Sequence, residues 1–303
     1  MLLIIVLTPL LLLVNGWALS PLGCLKRLEA MEYQSAIVYG DRLIKSGNRD
    51  YTTYLCIGRA HLELRNYTLA IDYLERAYNR ARDEAEKVLS AFYLGSAYEG
   101  IGNYAKAINV YRSALQNAER ISQGIYISLM FRLAEAYERT NNLEDALKTY
   151  LSIENISISD RDKLVVLEKI GDIMLKKRDY SMATKAYDGA LLVASSLNDI
   201  LSLSRISTKL GDISMELKNY DKALKQYEQA INYARSTGNR RVEASLYEKI
   251  AVAYTMKNDF TEALNSYQRA VELYRVIGDR NNQIRVQERL EVLRRLFEIR
   301  RDI

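Results

Sequence analysis

Few residues in this chain are of a type that does chemistry, and their spacing argues against a reaction. The single histidine, His61, has no second histidine or cysteine placed to complete a metal site. It reads as a packed side chain and not as a base or a ligand. Cys24 and Cys56 are too few for a disulfide framework. They read as small apolar fillers, although a bond between them is conceivable in an oxidising compartment. Glycine-rich phosphate loops and nucleophile motifs are absent. The 38 acidic and 43 basic side chains are those of helices whose charges pair one turn apart. The sequence therefore predicts no enzyme, no cofactor and no metal. The net charge of +5 is modest, and without a basic stripe or stacking motif it predicts no nucleic-acid partner. Asn66-Tyr67-Thr68 and Asn155-Ile156-Ser157 match glycosylation sequons, which matter only in a eukaryotic secretory pathway.

The elements behind these residues repeat. Leu210 to Ala230 reads as two short amphipathic helices around a polar turn, Leu217-Lys218-Asn219. Ala223, Tyr227 and Ala230 share one face of the second helix. Small residues at Gly211 and Ala223 let the two helices approach, and Tyr227 fills the space beside them. So small a hairpin cannot bury its apolar face alone. Copies follow at Ala36, Ala70, Ala107, Ala146, Ala183 and Ala263, 34 to 40 residues apart. Three residues before each marker stands Tyr33, Tyr67, Tyr104, Leu143, Tyr180, Tyr220 or Phe260. Upstream an apolar-then-small pair recurs, as in Ile57-Gly58, Leu94-Gly95, Leu133-Ala134, Ile170-Gly171 and Ile250-Ala251.

These positions resemble the tetratricopeptide repeat family, whose unit is about 34 residues long. The proline that often ends that repeat is absent. Gly47-Asn48-Arg49, Gly238-Asn239-Arg240 and Gly278-Asp279-Arg280 stand there, and glycine suits a left-handed helix cap. The longer copies look like the variant of kinesin-light-chain-like scaffolding arrays. The resemblance implies an all-α fold, a right-handed superhelical solenoid of helix-turn-helix repeats. It predicts about seven hairpins over 19–280, with first helices beginning near 88, 127, 164, 204 and 244, and a capping helix over 281–303. In that last helix Val286, Leu290, Leu293 and Phe297 form one stripe, widened by Val292, Leu296 and Ile299. It reads as a solubilising cap, with a docking helix as the alternative.

Residues 1–18 read as an export signal or a membrane anchor. Met1 to Val14 is almost purely aliphatic, in the range of a secretory core and short for a span. Small residues at Gly16 and Ala18 allow cleavage just where the first hairpin begins. Export to a periplasmic or secreted location is the first expectation and retention as an anchor the second. A lipidated Cys24 is a third, weakened by Pro21.

In the tetratricopeptide family the first helices line the concave face, where ligands lie. The resemblance therefore points to the position after each small residue: Arg59, Ser96, Glu135, Asp172, Asp212 and Val252. Asparagine, which marks carboxylate-clamping members, never stands there. Glu135, Asp172 and Asp212 make a mid-array run of acids, with Glu138 and Glu168 nearby and Arg132, Lys169 and Lys209 interleaved. Phe92 and Tyr93 offer an apolar anchor. The expected partner is a protein or peptide with basic side chains. The same charges serve equally well to solvate an open surface and pair among themselves. Membrane contact is expected only through the N-terminal segment.

Overall fold

Turn chemistry sets the frame of this protein. The structure, a computed structural model, describes residues 19–156 and 158–301. The leader read at residues 1–18 and Ser157 of the second sequon lie outside the described residues. Fifteen α-helices and no strand occur among them: α1 (Pro21–Glu29), α2 (Tyr33–Lys45), α3 (Tyr51–Glu63), α4 (Tyr67–Arg80), α5 (Glu84–Gly100), α6 (Tyr104–Ile121), α7 (Gln123–Arg139), α8 (Leu143–Glu154), α9 (Asp160–Lys176), α10 (Tyr180–Ser196), α11 (Ile200–Glu216), α12 (Tyr220–Ser236), α13 (Arg240–Met256), α14 (Phe260–Val276) and α15 (Arg280–Arg301). The chain is an all-α helical repeat.

One residue closes each first helix and the next opens the second. Lys218 sits at φ 56° and Asn258 at φ 61°, in the left-handed region. Asn219 then donates its N–H back to the Ser214 carbonyl at 2.8 Å, as Asp259 does to Tyr254 at 2.9 Å, which satisfies carbonyls the helix end leaves bare. The side chains of the same two residues accept from Lys222 and Glu262 and so cap the following helix. Gly47, Gly238 and Gly278 have positive φ between hairpins, where the glycine reading places caps. Within hairpins, however, Met31, Arg65, Asn141 and Arg178 hold the same strained geometry without glycine.

First helices begin about a turn earlier than the repeat pattern predicts. Ser159, Asp199 and Asn239 accept from the N–H groups of Asp162, Ser202 and Val242, so these caps and not the first apolar residue fix the start.

Two compact units divide the chain between Thr149 and Tyr150. In the first, a core runs from Tyr51 and Tyr54 through Leu74 and Tyr111 to Leu133, with a separate cluster around Cys24, Leu43 and Ile57. In the second, one core joins α9 to α11 and another α12 to α15. The marker alanines are fully buried in both. Tyr111, Tyr150, Tyr187 and Tyr227 are among the largest buried side chains. Glycine at position 211 is a matter of space: a Cβ there would stand 2.4 Å from the Tyr227 ring. Gly95 and Gly171 meet Tyr111 and Tyr187 in the same way.

Two expectations are corrected. Cys24 and Cys56 are not independent fillers. They form a disulfide that ties α1 to α3, and both are fully buried. The short α1 has little area of its own to bury, and the covalent bond holds it. The stripe on α15 is also narrower than predicted. Val286, Leu290 and Leu293 are buried and Phe297 lies 5.9 Å from Phe260, but Val292, Leu296 and Ile299 are exposed. Within its unit α15 packs chiefly against α14, with Arg285 reaching Glu248 of α13, and Val292, Leu296 and Ile299 fall outside that contact.

Candidate functional site

The first-helix faces are built differently in the two units. In the first, α3, α5 and α7 contribute Arg59, then Phe92, Tyr93 and Ser96, then Arg132, Glu135 and Glu138. The Arg59 guanidinium lies over the Tyr93 ring at 4.5 Å, and Phe92 meets Tyr93 edge-on at 5.3 Å. The Arg59 Nε is buried without a hydrogen-bond partner. One turn along α5, the Ser96 hydroxyl is 3.3 Å from that of Tyr111. Arg132 reaches Glu99 at 3.4 Å and Glu135 at 4.0 Å. Glu135 is otherwise exposed, whereas Glu138 is half-buried and engaged.

Glu99 was not singled out from the sequence. Burial raises its carboxyl above the usual range although Arg132 first and the nearby Tyr111 hydroxyl second pull the other way, and its Oε1 lies beyond hydrogen-bond reach of any donor among the described residues. The only signal was its place one turn beyond Gly95 on a face already assigned to ligands.

In the second unit the acids on these faces are engaged. Asp172 accepts from the Tyr187 hydroxyl of its own hairpin and from Lys209 of the next. Asp212 repeats this, accepting from Tyr227 at 2.7 Å and from Lys249 at 2.7 Å. Burial first and the carboxylate second push both tyrosine phenols far up. Glu168 takes a two-toothed grip from Arg205 at 2.7 and 2.9 Å, and Lys169 is also engaged. Asp172, Asp212 and Lys209 thus belong to the packing between hairpins as well as to the exposed face. Their spacing hid this, because the cationic partner stands 37 residues away on the next first helix.

His61 is packed. Its ring stacks on Tyr73 at 5.6 Å, and burial lowers its pKa against the opposing pull of Asp41. No group of three or more potential metal-ligating side chains converges among the described residues. No helix among them is long and apolar enough to cross a membrane.

With this geometry of stacked hairpins, the signature of the tetratricopeptide repeat matches residues 49–120 and 202–275, and a second signature of the same repeat matches 128–155. The chain belongs to the tetratricopeptide repeat family. That fold generally serves as a scaffold for protein–protein interaction, and its members are typically not enzymes. Among solved structures, the C-terminal part of a repeat protein of the same kind from Cytophaga hutchinsonii is 16% identical with a TM-score of 0.71, over 84% of this chain and 95% of that one. BtubC (BKLC) from P. vanneervenii is 19% identical with a TM-score of 0.58, over 72% of this chain and 92% of that one. The apo form of the quorum sensor NprR from B. thuringiensis is 18% identical with a TM-score of 0.55, over 90% and 86%. Comparison with curated protein sequences finds no match.

Proposed function

We propose that the protein is a non-catalytic scaffold that holds a peptide or helix of a protein partner on its first-helix faces, with α3, α5 and α7 making the principal contact. One observation carries this reading. The half-buried Phe92–Tyr93 pair carries Arg59 over Tyr93, with an Nε that lacks an acceptor, and about two turns further along α5 stands Glu99, whose Oε1 lacks a donor. Buried polar atoms without partners are costly, so a ligand that supplies both an acceptor and a donor gains from meeting them. A basic side chain of the partner would reach Glu99 and the exposed Glu135 beside an apolar anchor. The acids of the second unit favour such a partner less, because Lys209, Lys249 and Arg205 already answer them.

We also propose export through residues 1–18, with retention as an anchor the second reading. The buried Cys24–Cys56 bond supports an oxidising compartment, where such bonds persist. It also disfavours lipidation, since one sulfur cannot carry both a disulfide and a thioether. The full chain purified from its own host tests both proposals. Co-purifying protein should be lost from a Phe92→Ala, Glu135→Lys variant, and the mature N-terminus should fall after Gly16 or Ala18. Undiminished capture by the variant would refute the first proposal, and a purified chain that still begins at Met1 would refute cleavage.

A further inference from the structure

A second cleft, in the second unit, lies between α12 and α14 with α13 as its floor, and none of the residues discussed so far as partner-binding lines it. Its two walls carry the same triplet of side chains. Glu228, Asn232 and Arg235 stand on α12, and Glu262, Asn265 and Arg269 stand on α14. Acid and arginine are seven residues apart on each wall, about 10 Å along a helix axis. The floor presents Tyr247 at the arginine end and Tyr254 at the acid end.

The cleft is therefore polarised. Arg235 and Arg269 both donate to the Tyr247 hydroxyl, Arg269 at 3.1 Å, so two guanidinium groups converge on one neutral oxygen. Glu243 holds Arg235 from outside at 2.6 Å, which fixes its direction. Arg269 forms no ion pair among the described residues, so the charge converging on Tyr247 is not fully answered. At the other end Glu228 and Glu262 likewise form no ion pair among the described residues, and both raise the pKa of the Tyr254 phenol after burial has done so. Glu272, the remaining carboxylate of the lining, follows Arg269 by one turn. Between the two ends lie the amides of Asn232 and Asn265 and the apolar Ile231 and Ile250.

We propose that this cleft binds a short zwitterionic peptide of about three residues in extended form, a length that spans about 10 Å. Its terminal carboxylate takes Arg235 and Arg269, its ammonium lies between Glu228 and Glu262, and its backbone meets the two asparagine amides. An anion alone would satisfy one end and leave the acids opposite unanswered. A cation alone would do the reverse.

Calorimetric titration of the full chain with trialanine tests the proposal. N-acetyl-trialanine, trialanine amide, the doubly blocked peptide and inorganic phosphate serve as comparison probes. Trialanine should bind saturably, and removing either terminal charge should weaken it about tenfold or more, the worth of one hydrogen bond to a charged group. Arg269→Gln and Glu228→Gln, both at exposed positions, should each weaken trialanine similarly while leaving the thermal midpoint unchanged. The proposal is overturned by absence of trialanine binding, by equal binding of the doubly blocked peptide, by phosphate binding as well as trialanine, or by indifference of trialanine to both substitutions. These outcomes are independent of partner capture on the first-helix faces, which lie outside this cleft.

Discussion

Gly211 and Tyr227 are fitted to each other, and the fit sets the spacing of their hairpin. A methyl group on Gly211 would collide with the ring, which has nowhere to go because its hydroxyl is fixed to Asp212. Gly211→Ala should destabilise the protein by about 1–3 kcal/mol, the usual range for overpacking a filled site, read as a lowered urea midpoint with an unchanged slope. Small and aromatic positions of this kind are open to inspection in the sequence, because each hairpin repeats them at one offset. Asp212 was harder to place. Its position after the small residue marks it as exposed, but whether an exposed carboxylate waits for a partner or already has one depends on Lys249 in the next hairpin. Arg59 and Glu99 are the converse case, since their unanswered atoms follow from side-chain directions that no spacing encodes.

The terminal helix shows the same limit at the scale of an element. Its amphipathic pattern identifies α15, but a pattern gives angles around an axis and not the neighbours that fill them. Val286 and Leu290 find α14, while Val292 and Leu296 find solvent. What fastens α15 is a polar contact the pattern does not display. Glu248, buried on α13, accepts a two-toothed grip from Arg285 at 2.7 and 2.8 Å and a third bond from Tyr274 at 2.7 Å. The Arg285 side chain is 41% exposed and Arg289 stands 3.7 Å from the same carboxylate, so Arg285→Met should cost only about 1–2 kcal/mol. Hydrogen exchange should show the loss concentrated in α15 and the adjoining turn. Uniform exchange across the second unit would instead mean that the pair is dispensable to the helix.

For the molecule as a whole, the least expected feature is covalent. The Cys24–Cys56 bond spans 32 residues, which corresponds to about 3–4 kcal/mol of loop-closure entropy. The double variant Cys24→Ser, Cys56→Ser should lose about that much, and the cost should fall on the first unit, where both cysteines lie. Limited proteolysis should accordingly cut first near Glu32 or Gly47, at the ends of α2. Cysteine count alone could not foresee this, since two cysteines are as easily two small apolar residues. The repeat placed them on neighbouring first helices, and the three-dimensional fold brought them within bonding distance.

The ion pairs that join one first helix to the next in the second unit share a direction, although Arg235–Glu243 and Arg241–Asp279 elsewhere between hairpins run the other way. Glu168 and Asp172 are answered by Arg205 and Lys209, Asp212 by Lys249, and Glu248 by Arg285, with the acid on the earlier helix each time. Hairpin 200–236 therefore carries a plug on its N-terminal side and a socket on its C-terminal side. A gene that duplicated this segment in tandem would give each new copy a matching neighbour at both joints, whereas one that exchanged a basic for an acidic rung would set like charges together. The polarity of the rungs is a grammar for lengthening the protein, one that admits insertions of whole hairpins and rejects those joined out of phase.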